Sequence, residues 1–309
     1  MQVLDAGPER SVSCCGLLKP KPKPFEQTIV IVRHSERVDF KDPAAYKASA
    51  EGQAWPFDTS ITERGVGLAQ EVAREMLEVH KKANFSVVCT SPYRRCMQTA
   101  TEVAKLLKLP VLIDQEVGEV WEAAMPKERP PHRSPKELQE MAKELGIEVI
   151  NPLLPEGGFK LFGKPPLTHP ETVEMGHKRC IVRMETYIEQ SAMTRQNFII
   201  VSHAPAVAAL MEMFERGQVD VEKLDYCARV IANRKLVERG SGKGSSAFKA
   251  QWSVECKGIN ITLNLDADED GHVKTCQETE QMVIARKEKR TQTDMTFAKN
   301  LRNLHKEPE

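Results

Sequence analysis

The chain has 309 residues, with 44 basic and 44 acidic side chains, enough for one large domain or two small ones. This balance leaves no global field to attract nucleic acid, so no nucleic-acid partner is expected and any cationic site must be local. No apolar run approaches the ~20 residues of a membrane span, and eight cysteines without paired CxxC spacing read as reduced thiols of a cytoplasmic protein, not as a disulfide framework or zinc site.

In chain order, residues 1–24 read as a disordered tail closing on Lys19-Pro20-Lys21-Pro22-Lys23-Pro24, a composition that favours an extended spacer. They carry neither the basic start nor the apolar core of a signal peptide. The β-branched run 28–33 predicts a strand covered on both faces. Thr62 caps a predicted helix to about Lys82, with Val66, Ala69, Val72, Ala73, Met76 and Leu77 along one stripe. Ser86–Thr90 is a second buried strand. Ser91-Pro92 reads as an N-cap and first helical position, opening a helix to about Lys108. Val111–Ile113 is a short third strand, and Ser134-Pro135 opens another helix. Residues 146–170 read as irregular, part of a lid-like excursion over 125–170. Glu171–Ser191 is helical, Asn197–Ser202 a strand, and 205–215 a helix. Cys227–Val237 and Ala247–Leu265 look like strands, and the charged stretch 266–309 is expected to be a helix or disordered. The alternation predicts an α/β three-layer sandwich, a mainly parallel sheet flanked by helices, with one domain over 25–265.

Ligands of open α/β sheets bind beyond the carboxyl ends of the strands. The first strand delivers Arg33, His34 and Arg37 to that edge. The second leads into a helix whose first turn holds Arg94 and Arg95. The third leads to Glu116, Glu119 and Glu122, and Asn197–Ser202 delivers His203. Arginine in a first helical turn opposes the helix dipole unless an anion sits there. Converging guanidinium groups suit a tetrahedral dianion such as a phosphoryl group. A histidine among them can attack phosphorus while a carboxylic acid protonates the leaving oxygen. No metal-ligand spacing appears, and neither metal nor other cofactor is expected.

These motifs resemble the histidine phosphatase superfamily, the phosphoglycerate mutase-like fold. Arg33-His34-Ser35-Glu36 is similar to its RHGE opening, Ile61-Thr62-Glu63-Arg64-Gly65 to its L-T-x-x-G helix start, Ser91 to Ala100 to its S-P-x-x-R-x-x-Q-T-A segment, and Val201-Ser202-His203-Ala204 to its VSHG. The resemblance spans 28–215. It implies His34 as a nucleophile that becomes phosphohistidine and Arg33, Arg37, Arg95 and His203 as the phosphate-binding set. It implies Glu119 as the general acid, with Glu116 and Glu122 as rivals. Arg37-Val38-Asp39 and the long segment 125–170 are most similar to the phosphatase domain of ubiquitin-associated and SH3 domain-containing proteins, whose adaptor functions are not carried over. The expected activity is hydrolysis of a phosphorylated substrate, protein phosphotyrosine or a small phosphomonoester. A non-catalytic phosphate-recognising scaffold and a phosphoglycerate-type mutase are the alternatives. Ser35 and Ala204 replace family glycines, and each side chain is expected either to crowd the pocket or, for Ser35, to add a donor to phosphate.

Two further features are read as structural. Asp266 to Val273 matches the first half of an EF-hand loop, but Gln277 at the twelfth position cannot supply the bidentate carboxylate. Cys14-Cys15 beside the basic tail has the makings of a lipid anchor; a solvated tail is preferred.

Overall fold

A computed structural model describes residues 24–125, 127–128, 131–150, 161–215, 219–236 and 252–263. The expectations for 1–23, 151–160 and 264–309, including the Lys/Pro tail, Cys14-Cys15 and the EF-hand-like stretch, lie outside the described residues.

A six-stranded sheet forms the centre, in the order β3-β2-β4-β1-β5-β6. Its strands are β1 (Phe25–Arg33), β2 (Phe85–Thr90), β3 (Val111–Ile113), β4 (Asn197–Ser202), β5 (Val219–Leu236) and β6 (Ser253–Leu263). The first four pair in parallel, while β5 joins β1, and β6 joins β5, in antiparallel fashion. The helices are α1 (Val38–Lys41), α2 (Pro43–Ala48), α3 (Ala50–Ala54), α4 (Glu63–Ala83), α5 (Arg94–Leu107), α6 (Pro135–Leu145), α7 (Val173–Thr194) and α8 (Ala204–Phe214). Among the described residues no helix is long and apolar enough to cross a membrane.

The sandwich follows from alternation along β1. Ile29 and Ile31 face one buried cluster, with Met184 and Tyr187 of α7 and Val207 and Leu210 of α8. Val30 and Val32 face the other, with Val72, Ala73 and Met76 of α4 and Cys96 and Ala100 of α5. Because both faces are covered, every β1 position from Gln27 to Val32 is buried, and a continuous β-branched run is what such a strand requires.

Helix starts agree with expectation at Thr62, which accepts from the Gly65 amide, and at Ser134, which forms a full capping box with Glu137. At Ser91 they do not. The α5 helix begins at Arg94 with Tyr93 as its N-cap and no side-chain cap of its own. Its Arg94 amide donates instead to Asp58 Oδ1 at 2.6 Å, a cap supplied from 36 residues upstream. The described parts of 146–170 form no helix; they run beside β3, where Ile150 N donates to Val111 O at 2.9 Å and Phe162 N to Ile113 O at 3.0 Å. They thereby extend the sheet edge. Between β1 and α4 the chain folds into α1, α2 and α3. Strand β5 starts eight residues before its predicted position, its register shifting between Leu224 and Arg229, where Cys227 takes φ +58°.

Candidate active site

Parallel pairing brings the ends of β1, β2 and β4 side by side. The ladder continues past the strands: His34 N donates to Ser202 O at 2.9 Å and Ser91 N to Val201 O at 3.0 Å. His203 therefore emerges between His34 and Ser91, its ring centroid 5.4 Å from that of His34.

His34 is 2% exposed. Its Nδ1 lies 2.8 Å from Ser35 O, and since a carbonyl only accepts, Nδ1 bears the proton and Nε2 keeps its lone pair. Burial first, then the Arg95, His203 and Arg33 charges, hold its pKa well below the usual histidine value. The ring is neutral at physiological pH.

Arg95, at 1% exposure, is the hub. Its Nη1 donates to Phe57 O at 3.1 Å, and its Nη2 to Glu119 Oε2 at 2.9 Å and His203 Nδ1 at 3.0 Å. Glu119 Oε2 also lies 3.0 Å from His203 Nδ1. His203 Nε2 meets Ser91 Oγ at 2.7 Å, which is where the serine hydroxyl expected to cap α5 has gone. Burial above all pulls His203 down to about 4, Arg95 reinforcing and Glu119 opposing. Its place at the N-cap of α8 acts in the same direction. Burial works to raise the Glu119 carboxyl, but His203 and Arg95 overcome it and hold the group well below the usual carboxylate range.

Of the predicted residues, His34, Arg95, Glu119 and His203 thus converge. Arg33 joins them from β1, its guanidinium 4.7 Å over the Tyr226 ring and its Nη1 on Leu224 O. Arg33 Nε and Arg95 Nε are buried with no hydrogen-bond partner among the described residues. Arg37 stands at the same edge, but its guanidinium is taken by Asp39 in two bonds of 2.9 and 2.6 Å and lies over Phe40. Arg94 turns away to Glu51 and Glu144. Glu116 points toward Arg183, 3.8 Å away, and Glu122 is exposed; neither reaches His34 or His203 in a described contact. Sequence reasoning missed Tyr93, whose ring stands edge-on to His203 at 5.0 Å. It also missed Tyr226, 6.1 Å from the His34 ring. Both look like ordinary core aromatics in sequence.

Several motif residues brace the site without entering it. Glu36 accepts from Thr62 Oγ1 at 2.6 Å and, through its carbonyl, from Thr62 N at 2.9 Å. Gln98 Oε1 accepts from Ile61 N at 2.8 Å, and Thr99 Oγ1 from Ser35 N at 3.0 Å. A Cβ on Gly65 would stand 2.8 Å from Glu36 O, so only glycine lets α4 approach this loop.

Ser35 neither crowds the pocket nor faces a phosphate. Its hydroxyl donates to Gly65 O at 2.6 Å, it is fully buried, and its φ is not positive. Ala204 opens α8 with ordinary helical backbone. Ser35→Gly should therefore leave turnover within about threefold and lower stability by about 1 kcal/mol, the worth of the lost hydrogen bond. Parallel kinetics and thermal unfolding of the two proteins check this; a tenfold gain in rate in the glycine variant would show that the serine obstructs.

His34, Glu119 and His203 offer donor atoms within 4.8 Å of one another, close enough for a metal ion. The donor set fits poorly, because Arg95 Nη2 already touches both Glu119 and His203 and would face the cation directly. With a guanidinium at its centre, the cluster suits an anion better than a cation.

Residues 29–148 match the family model of the histidine phosphatase superfamily, branch 1. The match covers about two fifths of the chain, from β1 to just past α6. Among curated proteins, this chain is 32% identical over 92 residues to the transcription factor tau 55 kDa subunit of Saccharomyces cerevisiae, covering 30% of this chain and 20% of that one. It is 37% identical over 75 residues to an uncharacterized phosphoglycerate mutase family protein of Acanthamoeba polyphaga mimivirus, covering 24% and 35%. The chain thus spans well under half the length of either curated relative. Among solved structures, the ecdysone phosphate phosphatase of Bombyx mori, crystallised with tungstate, superimposes with a TM-score of 0.53 at 18% identity, covering 84% of this chain and 99% of that one. This likeness supports the phosphoglycerate mutase-like sandwich.

Proposed function

We propose that the chain is a phosphomonoester hydrolase acting through phosphohistidine at His34. The observation that carries the reading is a neutral, buried His34 whose Nε2 makes no hydrogen bond among the described residues, beside Arg33, Arg95 and His203, with one carboxylate, Glu119, in the same cluster. Nε2 attacks phosphorus as the bond to the leaving oxygen breaks, and Glu119 delivers its proton to that oxygen. Water then attacks the phosphohistidine, giving its proton to Glu119 and releasing phosphate and neutral His34. Arg33, Arg95 and His203 hold the equatorial oxygens where charge accumulates. Arg37 reaches them by exchanging Asp39 for phosphate.

Within the superfamily, Arg37-Val38-Asp39 favours the phosphatase type found in ubiquitin-associated and SH3 domain-containing proteins over the mutases. Support from the Bombyx mori phosphatase is limited to fold, although the tungstate in its crystal is a tetrahedral oxyanion of the kind this pocket suits. Phosphate release from 4-nitrophenyl phosphate in the presence of a chelator tests the reading. Transfer from a bisphosphoglycerate to a monophosphoglycerate, in place of transfer to water, would replace it with a mutase.

In the free protein Glu119 occupies the anion position between Arg95 and His203 as a carboxylate. A bound dianion takes the Arg95 guanidinium from it and adds its own negative charge, which raises the carboxyl's pKa and arms it as the acid. Binding of an oxyanion must then take up a proton. The affinity for tungstate, which stays dianionic, should tighten as pH falls through the range set by the raised carboxyl pKa of the complex, by up to about tenfold per unit. Calorimetric titration reads this, and affinity independent of pH would contradict it.

A further inference from the structure

Glu119 sits on a loop with little structure of its own. The short 3-10 turn Gln115–Val117 ends at Gly118, and no helix or strand holds the chain from there to Trp121. An acid must nevertheless be held within a fraction of an ångström of the leaving oxygen to deliver a proton in the transition state. Something outside the loop has to fix it.

The guanidinium of Arg179, on α7, grips this loop along its length. Its Nη1 donates to Glu116 O at 2.7 Å and Gly118 O at 3.2 Å, and its Nη2 to Glu119 O at 3.2 Å. Its Nε and Nη2 each donate to Glu171, at 2.8 Å. Glu171 closes the clamp from the other end: its Oε2 accepts from Trp121 N at 3.2 Å, and its amide donates to Trp121 O at 2.8 Å. The pair is well buried, with side-chain exposures of 14% and 5%, so water is a poor substitute partner. Packing points the same way. A Cβ on Gly176, one turn before Arg179, would come within 2.6 Å of Val120 Cγ2, so α7 is seated directly against the residue after Glu119.

We infer that Arg179, braced by Glu171, is a positioning residue that holds the backbone of the Glu119 loop so that the carboxyl reaches the leaving-group oxygen. This rests on the phosphatase reading above. Arg179 makes no described contact with His34, Arg95 or His203, and its side chain lies on the carbonyl side of the loop. Five directional hydrogen bonds fanned over three loop carbonyls and one carboxylate suit guanidinium alone; a lysine ammonium is a single point and cannot span them.

A purely structural role would lower turnover of all substrates alike. A positioning role for the acid falls on substrates that need the proton. The test compares phenyl phosphate, a poor leaving group, with 2,4-dinitrophenyl phosphate, a good one, in the unaltered protein, R179M, R179K, E119Q and R179M/E119Q. R179M should lower kcat on phenyl phosphate about 30-fold while changing the dinitrophenyl ester by less than about threefold. R179K should lie between, and it carries the same comparison where R179M does not accumulate as folded protein. In the E119Q background R179M should add less than about twofold, since the group it positions is gone. An equal loss on both esters in R179M and R179K, or a full loss in the E119Q background, overturns the inference and leaves the phosphatase reading standing. No turnover of either ester by the unaltered protein overturns both.

Discussion

His34→Ala should abolish phosphate release, lowering kcat/KM by about 10⁴-fold or more, because the attacking nitrogen of the proposed mechanism is gone. His203, the other imidazole, has both ring nitrogens engaged, by Ser91 on one side and by Arg95 and Glu119 on the other. It cannot take over the attack without breaking the contacts that orient the phosphoryl group. The fold should survive. The ring of His34 makes one local bond, to Ser35 O, and its removal leaves a small cavity beside His203 and Tyr226, worth about 1–2 kcal/mol. Tungstate should still bind, since Arg33, Arg95 and His203 remain. Turnover and tungstate affinity measured on the same preparation separate the two effects. Loss of binding together with loss of turnover would mean that the variant had lost its pocket, and retained turnover would remove His34 from the mechanism.

Arg95→Ala should act on stability and activity together. The guanidinium is almost fully buried and holds Phe57 O, Glu119 and His203 at once. Without it the Glu119 carboxylate loses its permanent countercharge, an effect expected to cost about 3 kcal/mol, the low end for a broken buried pair because Glu119 remains partly open to water. In catalysis the loss removes charge stabilisation from the phosphoryl oxygens, worth about 10³-fold in kcat. Arg95→Lys should restore the charge but not the fork, recovering stability more than rate. Chemical denaturation and steady-state kinetics check the two halves; a variant as active as the unaltered protein would exclude Arg95 from phosphate binding.

The strand ends were the legible part of this site. A continuous β-branched run demands cover on both faces, so 28–33 announces an interior strand, and parallel pairing then dictates that His34 and His203 share one edge. Glu119 was separable from Glu116 and Glu122 only by resemblance to a family pattern, because all three follow the same strand and their side-chain directions depend on a 3-10 turn too short to read. Ser91 was misread for a reason of local chemistry. Ser-Pro is a common way to open a helix, but the hydroxyl has a better partner in His203 Nε2, and Asp58 supplies the cap from a distance. The helices of 38–54 are too short for an apolar stripe to show their period. The early start of β5 escaped notice because Asp220 to Tyr226 is largely polar with no buried residue, and a register shift at Cys227 breaks the alternation. Arg179 is the clearest case of an unreadable residue: on a helix, an isolated arginine looks like part of a solvated face, and only the path of a loop 60 residues earlier gives it work.

The superfamily match over 29–148 ends before β4, and the histidine at the end of that strand completes the pocket. The covalent intermediate is therefore the claim that most directly joins the matched segment to the rest of the chain. Rapid mixing with a radiolabelled phosphomonoester, alkaline quench and peptide mapping would trap it. The account predicts a phosphopeptide containing Arg33-His34-Ser35, labelled at His34, stable in base, lost in acid and absent from His34→Ala. Turnover without that peptide, or with the label on any other residue, would contradict it.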